Sequence, residues 1–171
     1  EAEYYELDKY LKSHGYKFKN ASTEVGGYVI LKNKNVSIAM DMGPYPEKKF
    51  SDNYQSGVMS FEILYYGKKL ISNSGYFQDF KHQLNKISKT TAAHSMLILD
   101  STSVCSFKKN SNGNIVVDNG FKLIKKKIIN EKNYWILNAA HDGYQKKYGV
   151  IHDRTIEFIP ELNKFIGKDK L

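Results

Sequence analysis

The chain has 171 residues, enough for one domain of ordinary size around a single core. Lys and Arg outnumber Asp and Glu by 26 to 18, a formal charge of +8 that favours acidic partners, although Arg154 is its sole arginine. No apolar run approaches the roughly 20 residues of a membrane-spanning helix, the lone Cys105 rules out an internal disulfide, and no basic patch interleaved with aromatics marks a nucleic-acid site, so membrane and nucleic acid are set aside as partners.

Along the chain, Tyr5 to Tyr16 carries Leu7, Tyr10 and Leu11 at helical spacing before Gly15 and predicts the end of a helix. From Gly26 onward, short runs of β-branched and aromatic residues alternate with Gly, Asn, Asp and Pro, the pattern of strands joined by turns. Val36, Ile38, Met40 and Met42 alternate with Ser37, Ala39 and Asp41, so one face is apolar and the other small or polar. Pro44 to Ser56 follows as a longer polar loop, a place where sites are built. Met59, Phe61, Ile63 and Tyr65 alternate in the same way, and Gly67 turns that strand back into Lys69 to Ser72. Further strands are predicted over Ala92 to Asp100, Asn114 to Val117, Lys122 to Ile129, Tyr134 to Ala140, Tyr148 to Ile159 and Lys164 to Gly167, with polar hairpin turns at Asn110 to Asn114 and Asn130 to Asn133. About ten strands with no interleaved helices predict an all-β antiparallel β-sandwich behind a short N-terminal helix. The start at Glu1 and the strand-like end predict a piece of a longer protein, which leaves its compartment open.

Three segments carry the chemistry: Ser51 to Glu62, where a polar loop runs into an amphipathic strand; Gly67 to Gly75, ending Ser72-Asn73-Ser74-Gly75; and Thr90 to Asp100, which contains Ala92-Ala93-His94-Ser95. In this order and at these separations they resemble the C-terminal β-sandwich of heparinase II/III-like polysaccharide lyases. That family pattern is a His-x-His-x-Asp loop feeding a Ser-Phe strand, then an Asp-x-Gly hairpin end, then an Ala-His-Asn strand. Ser60-Phe61, Gly75 and Ala93-His94 fall into its register, and weaker similarity runs on through His141-Asp142-Gly143-Tyr144 and Ile151-His152-Asp153-Arg154. A branch of uncharacterised bacterial proteins with Gly in the loop, Asn at the hairpin end and an Ala-Ala-His-Ser strand is closer still.

The resemblance implies that residues 1–25 are the tail and linker of a preceding α/α-toroid domain and residues 26–171 the sandwich. It implies β-elimination on an acidic, uronate-containing polysaccharide such as a glycosaminoglycan or alginate, and a periplasmic setting. In metal-bearing members the first loop His is catalytic, while the second His, the hairpin Asp and the later His bind zinc. Here these positions are Asn53, Gln55, Asn73 and His94, and the loop Asp is Gly57. Asn53 thus stands at the catalytic position, and Gln55, Asn73 and His94 form a degenerate metal site for which no zinc and no other cofactor is expected, neutral amides being poor zinc donors. The proton-removing Tyr or His is expected from the toroid, so the isolated piece is expected to be inactive. The rival expectation is a non-catalytic carbohydrate-binding or structural module with a decayed site.

Taken without the family, His94 at the head of an apolar strand reads as a core histidine, and the resemblance brings a site role level with that reading. His152 and Arg154 share a strand face with Val150, Ile156 and Phe158, and either face a cleft or lie at a sheet margin. His141 to Tyr144 has the composition of a turn, with His141 next to a carboxylate. His141, Tyr144, His152 and Arg154 therefore join the expected cleft, whereas His14 and His82 read as exposed and uninvolved.

Overall fold

A computed structural model of the chain describes residues 2–15 and 23–171. The N-terminal helix α1 (Ala2–Ser13) is followed by Gly15, whose φ of 77° ends it; the expected linker residues 16–22 lie outside the described residues. Eleven strands follow among the described residues: β1 (Glu24–Val25), β2 (Tyr28–Lys32), β3 (Val36–Asp41), β4 (Phe61–Tyr65), β5 (Lys68–Ile71), β6 (Ser106–Lys109), β7 (Ile115–Asn119), β8 (Leu123–Glu131), β9 (Tyr134–His141), β10 (His152–Ile159) and β11 (Lys164–Lys170). Two short helices interrupt them, α2 (Gln83–Ser88) and α3 (Gln145–Tyr148).

The strands form three antiparallel sheets: β1 to β5 in chain order, β11-β10-β9-β8, and the ribbon β6-β7. The alternation seen in the sequence decides how the larger two pack. Val36, Ile38 and Met40 are buried on β3 with Val29 and Leu31 beside them on β2, and they join Trp135, Leu137, Ala139, Ile156 and Phe158 of β9 and β10 in one core. Register reinforces this, since Ile38 pairs with both Leu31 and Ile63, and Ile156 pairs with Leu137. Trp135 and Phe158 lie 4.9 Å apart between ring centroids, and Phe165 stacks on Phe158 at 4.4 Å. The chain is an all-β sandwich, as its pattern predicts.

Turn chemistry follows the local sequence. Tyr66 and Gly67 both take positive φ (48° and 74°) in the two-residue turn between β4 and β5, the backbone that matches strand twist. Asn110 Oδ1 accepts from the amides of Asn112 and Asn114, closing the β6-β7 turn. Gly43 lies so near the β1-β2 turn that a Cβ there would come within 2.8 Å of Gly27 Cα, and this approach lets the Met42 amide bond to Gly27 O at 2.9 Å. The Lys125 to Lys127 run lies exposed on β8, an edge strand, where charge discourages further pairing.

Two expected elements differ and one strand, β6, was not expected. Ala92 to Asp100 is not a strand: Thr91–Ala93 is a 3-10 turn and the chain beyond it is irregular apart from a Leu99-Thr102 bridge, because Ser and Thr side chains there take up backbone groups that a ladder would use. The strand expected from Tyr148 begins only at His152, after α3 and Gly149 with φ of 73°. β6, with a single large apolar residue, Phe107, carries no alternation to announce it.

Two strand residues distinguish core from surface. Leu137→Ala is expected to cost about 2–5 kcal/mol and Ile124→Ala to stay within about 0.5 kcal/mol, because Leu137 is 1% exposed and Ile124 52%. Urea denaturation of both variants measures the contrast.

Candidate functional site

The polar loop before β4 is held by side chains reaching in from elsewhere. Ser51, fully buried, donates its hydroxyl to Lys48 O at 2.8 Å and accepts from the Val117 amide at 3.0 Å. Ser56, also buried, shares a 2.9 Å hydroxyl bond with Thr91 and accepts from the Cys105 amide, while Thr91 Oγ1 bonds Ser56 O at 2.8 Å. Lys89 is 1% exposed and aims its ammonium at the carbonyls of Asp52 and Tyr54, on either side of Asn53. Tyr76 and Phe107 rings stand 5.4 and 5.8 Å from that ammonium, and burial pushes the Lys89 pKa down. The buried hydroxyls of Ser51, Ser56 and Thr91 and the Lys89 ammonium all have partners, which is what lets an irregular loop hold one shape. Cys105 is buried beneath it, and burial pushes its thiol up to about 12, leaving it inert.

The loop forms one wall of a cavity of about 270 Å³, and Asn53, Gln55, Asn73 and His94 all line it. Asn53 Oδ1 accepts from the Tyr76 hydroxyl at 3.1 Å. Asn73 is locked at both ends of its amide: Oδ1 accepts from the Ser95 amide at 2.8 Å and Nδ2 donates to Ser60 Oγ at 3.4 Å. Its backbone amide donates to Glu62 Oε1 at 2.9 Å. The His94 ring lies against Gly57, where a Cβ would stand 3.1 Å from the ring and 3.2 Å from Ser60 Oγ. A side chain at position 57 therefore requires the ring or Ser60 to give way. Burial lowers the His94 pKa, against the opposing charge of Glu62.

Sequence reasoning missed Asp41, Glu62, Tyr28, Tyr54 and Lys89. Asp41 and Tyr28 face each other across β2 and β3, and Glu62 pairs with Ala39, so all three share the outer face of the first sheet. The signal was the polar side of the Ser37-Ala39-Asp41 alternation. Burial raises the Asp41 carboxyl to about 6, against a 3.1 Å bond from the Gly43 amide and the charge of Lys126.

Of the expected cleft residues, His141, Tyr144, His152 and Arg154 do not line this cavity and are buried in the interior. The Gly143 amide donates to His141 Nδ1 at 3.1 Å, which makes Nε2 the protonated nitrogen of the neutral ring. That N–H points at His152 Nδ1, 3.3 Å away, and His152 Nε2 in turn donates to Asp169 Oδ1 at 2.7 Å. Arg154 clasps the same carboxylate through Nε and Nη2, at 2.7 and 3.1 Å. Its Nη1 reaches Ser95 O at 2.6 Å and Met59 O at 3.1 Å, the residues beside His94 and Ser60. Burial acts to raise the Asp169 pKa, but bonds from His152 and Arg154 and the guanidinium charge hold it well below the usual carboxylate range. Tyr144 donates its hydroxyl to Leu97 O at 2.7 Å. These residues support the cavity from behind. Of the two histidines read as uninvolved, His14 is exposed as expected, while His82 caps α2 by accepting from the Leu84 amide.

Two predictions follow from these buried charges. Arg154→Ala leaves Asp169 with His152 alone and is expected to cost about 3 kcal/mol in urea denaturation, the low end for a broken buried pair because the Asp169 side chain is 34% exposed. The second concerns acid. His141, held near 3 by burial and by the charges of His152 and Arg154, contributes stability present above 6.5 and lost as pH falls toward 3. Asp41, raised from 3.8 to about 6, acts oppositely: its contribution is full below 3.8 and lost as pH rises through 6. The two offset between those values. Asp41→Asn is expected to steepen the loss of stability on acidification from pH 6 to 4 by about 1.4 kcal/mol per pH unit, read from denaturation midpoints at several pH values.

Comparison with known proteins bears on the family and the fold. The family model "Heparinase II/III-like, C-terminal" matches residues 17–171. Among solved structures, a heparan sulfate lyase HepC mutant from Pedobacter heparinus superposes with a TM-score of 0.59 at 20% identity, covering 94% of this chain and 24% of that one. The heparinase III BT4657 gene product superposes with a TM-score of 0.63 at 18% identity and the same coverage. At such identity these structures share the fold, and the chain spans 24% of their length. No curated protein matches the sequence. With a family model spanning nearly all of the sandwich, the chain belongs to the heparinase II/III-like C-terminal domain family.

Proposed function

We propose that this chain is the β-sandwich domain of a polysaccharide lyase-like protein that acts by β-elimination on a uronate-containing polysaccharide. One observation carries the reading: the four positions that correspond to the family's site, Asn53 and Gln55 in the loop, Asn73 at the hairpin end and His94 beyond it, come from three separate segments yet line one cavity. Helix α1 then belongs to the tail of a preceding α/α-toroid domain, which closes the cleft and supplies the base.

Elimination requires a neutralised carboxylate, removal of the adjacent ring proton and protonation of the leaving oxygen. Asn53 offers an amide that holds substrate and cannot shuttle protons. Asp41 is the carboxyl of this cavity whose pKa, at about 6, lies near the working range of acid–base groups. Zinc does not fit the donor set. Structural and catalytic zinc sites draw mainly on His, Cys and carboxylate ligands, whereas Gln55 and Asn73 are neutral amides and Asn73 is engaged at both ends. Among the described residues no three His, Cys, Asp or Glu side chains converge as a metal site. No step is therefore routed through a metal. A second reading, a non-catalytic carbohydrate-binding module, draws support from Asn53 standing where the family has a proton-transferring His.

The test is the ultraviolet absorbance of unsaturated uronate when the full-length protein meets heparan-, alginate- and chondroitin-type polymers, with and without zinc. Product that does not depend on zinc is expected. Binding without product from any polymer overturns the lyase reading in favour of the module.

A further inference from the structure

Between helix α2 and the β6-β7 ribbon runs a groove made of two adjacent cavities of about 260 and 360 Å³, which share Lys86, Lys109 and Ile115 as walls. Lys89 and Lys108 complete the basic lining of the first and Lys81 that of the second, and no Asp or Glu lines either. Elsewhere on the sandwich, lysines lie against carboxylates: Lys125 on Asp153, Lys126 on Glu24 and Lys168 on Glu157, at 2.7 to 2.9 Å. In the groove Lys108 has such a partner, Asp118, and the Lys89 ammonium bonds to the Asp52 and Tyr54 carbonyls. Lys81, Lys86 and Lys109 are exposed, and their ammonium groups have no ion pair, hydrogen bond or ring contact among the described residues. Five cations around a space without carboxylates build up a positive potential, which their mutual repulsion opposes and an anion relieves.

Apolar side chains join the lysines, Phe107 and Ile115 in the first cavity and Phe80 and Ile115 in the second. Such walls take the C–H face of a sugar ring while ammonium groups take its acidic substituents, and each cavity is near the lower end of small-ligand sites, about 300–1,000 Å³. Lysines act as point charges, without the planar fork of Arg, so carboxylates and sulfate esters both qualify as the anion. The groove is distinct from the cavity of Asn53 and His94, with which it shares no lining residue. Two hydrogen bonds link them: Asn85, which lines the groove, donates Nδ2 to the Tyr76 hydroxyl, and that hydroxyl donates to Asn53 Oδ1, each at 3.1 Å. Resting on the polysaccharide reading above, we propose that the groove is a second binding site, an anchor for an acidic polysaccharide strand outside the cavity of the proposed elimination. Lys81, Lys86 and Lys109 hold its carboxylate or sulfate groups.

The test titrates four probes into the ¹⁵N-labelled chain at physiological ionic strength: a heparin-type hexasaccharide, an alginate hexasaccharide, neutral maltohexaose and a hexathymidylate. At least one acidic hexasaccharide is expected to bind at least about tenfold more tightly than maltohexaose, shifting the amide resonances of Lys86, Lys109 and Asn114. The double variant Lys86→Gln/Lys109→Gln is expected to weaken that binding about tenfold. Lys127→Gln/Lys132→Gln removes the same charge from exposed positions on β8 and the turn after it, and is expected to change binding less than about twofold. All four lysines are exposed, and the spectrum of each variant reports that it is folded. Equal weakening by the two pairs, equal binding of maltohexaose, shifts confined to other amides, or tighter binding of the oligonucleotide than of either acidic hexasaccharide overturns the anchor. Elimination by the full-length protein with no binding at the groove overturns this inference alone, whereas binding at the groove without elimination overturns the lyase reading and leaves the anchor in place.

Discussion

A single guanidinium holds the two halves of this molecule in register. Arg154 rises from β10 in the second sheet, binds Asp169 on the neighbouring β11 through two nitrogens, and gives its third to carbonyls at Met59 and Ser95. Those carbonyls belong to the two irregular segments that wall the cavity. Met59 is itself in a left-handed conformation, with φ of 61°, at a fully buried position. A planar, permanently charged donor set suits the task in a way that Lys does not, because one rigid group must meet a carboxylate and two carbonyls at once. The guanidinium also lies 5.6 Å from the Phe61 ring centroid, so its faces as well as its edges are occupied.

Around that tie the interior is polar to an unusual depth for a sandwich. His141 and His152 extend the Asp169 cluster inward, while Ser51, Ser56, Thr91 and Lys89 fasten the loop from the other side. Ladder hydrogen bonds cannot stabilise these segments, since they lie outside the strands. Side-chain bonds replace them, and each leaves few buried groups unpaired. Among the described residues the buried side-chain atoms left without a partner are His94 Nε2 and the Tyr54 hydroxyl, on residues that line the cavity, and Asn85 Oδ1, on α2.

The chain belongs to the heparinase II/III-like C-terminal family, and its cavity is lined by neutral amides, hydroxyls and carboxyl groups with one imidazole. Gly57 lies close enough to the His94 ring that a larger residue there displaces the ring or Ser60. The basic residues behind the +8 charge of the chain do not line this cavity, and exposed lysines such as those of β8 carry part of that charge.

By itself the sequence determined the sandwich, because alternation with a period of two forces Val36, Ile38 and Met40 to one face and commits that face to a core. It also determined which loop, hairpin end and later segment come together, through Ser60-Phe61, Gly75 and Ala93-His94. It did not determine where His141, Tyr144, His152 and Arg154 point. A strand face has two sides, and period alone does not say whether a polar side chain on the inner one meets a cleft or a buried partner; Asp169, 15 residues from Arg154, answers that. Nor did it reveal the 3-10 turn before His94 or the roles of Lys89 and Asp41, since those depend on bonds to residues 35 or more positions away and on burial in the folded chain. Such long-range pairings leave no local pattern, and only the folded chain decides them.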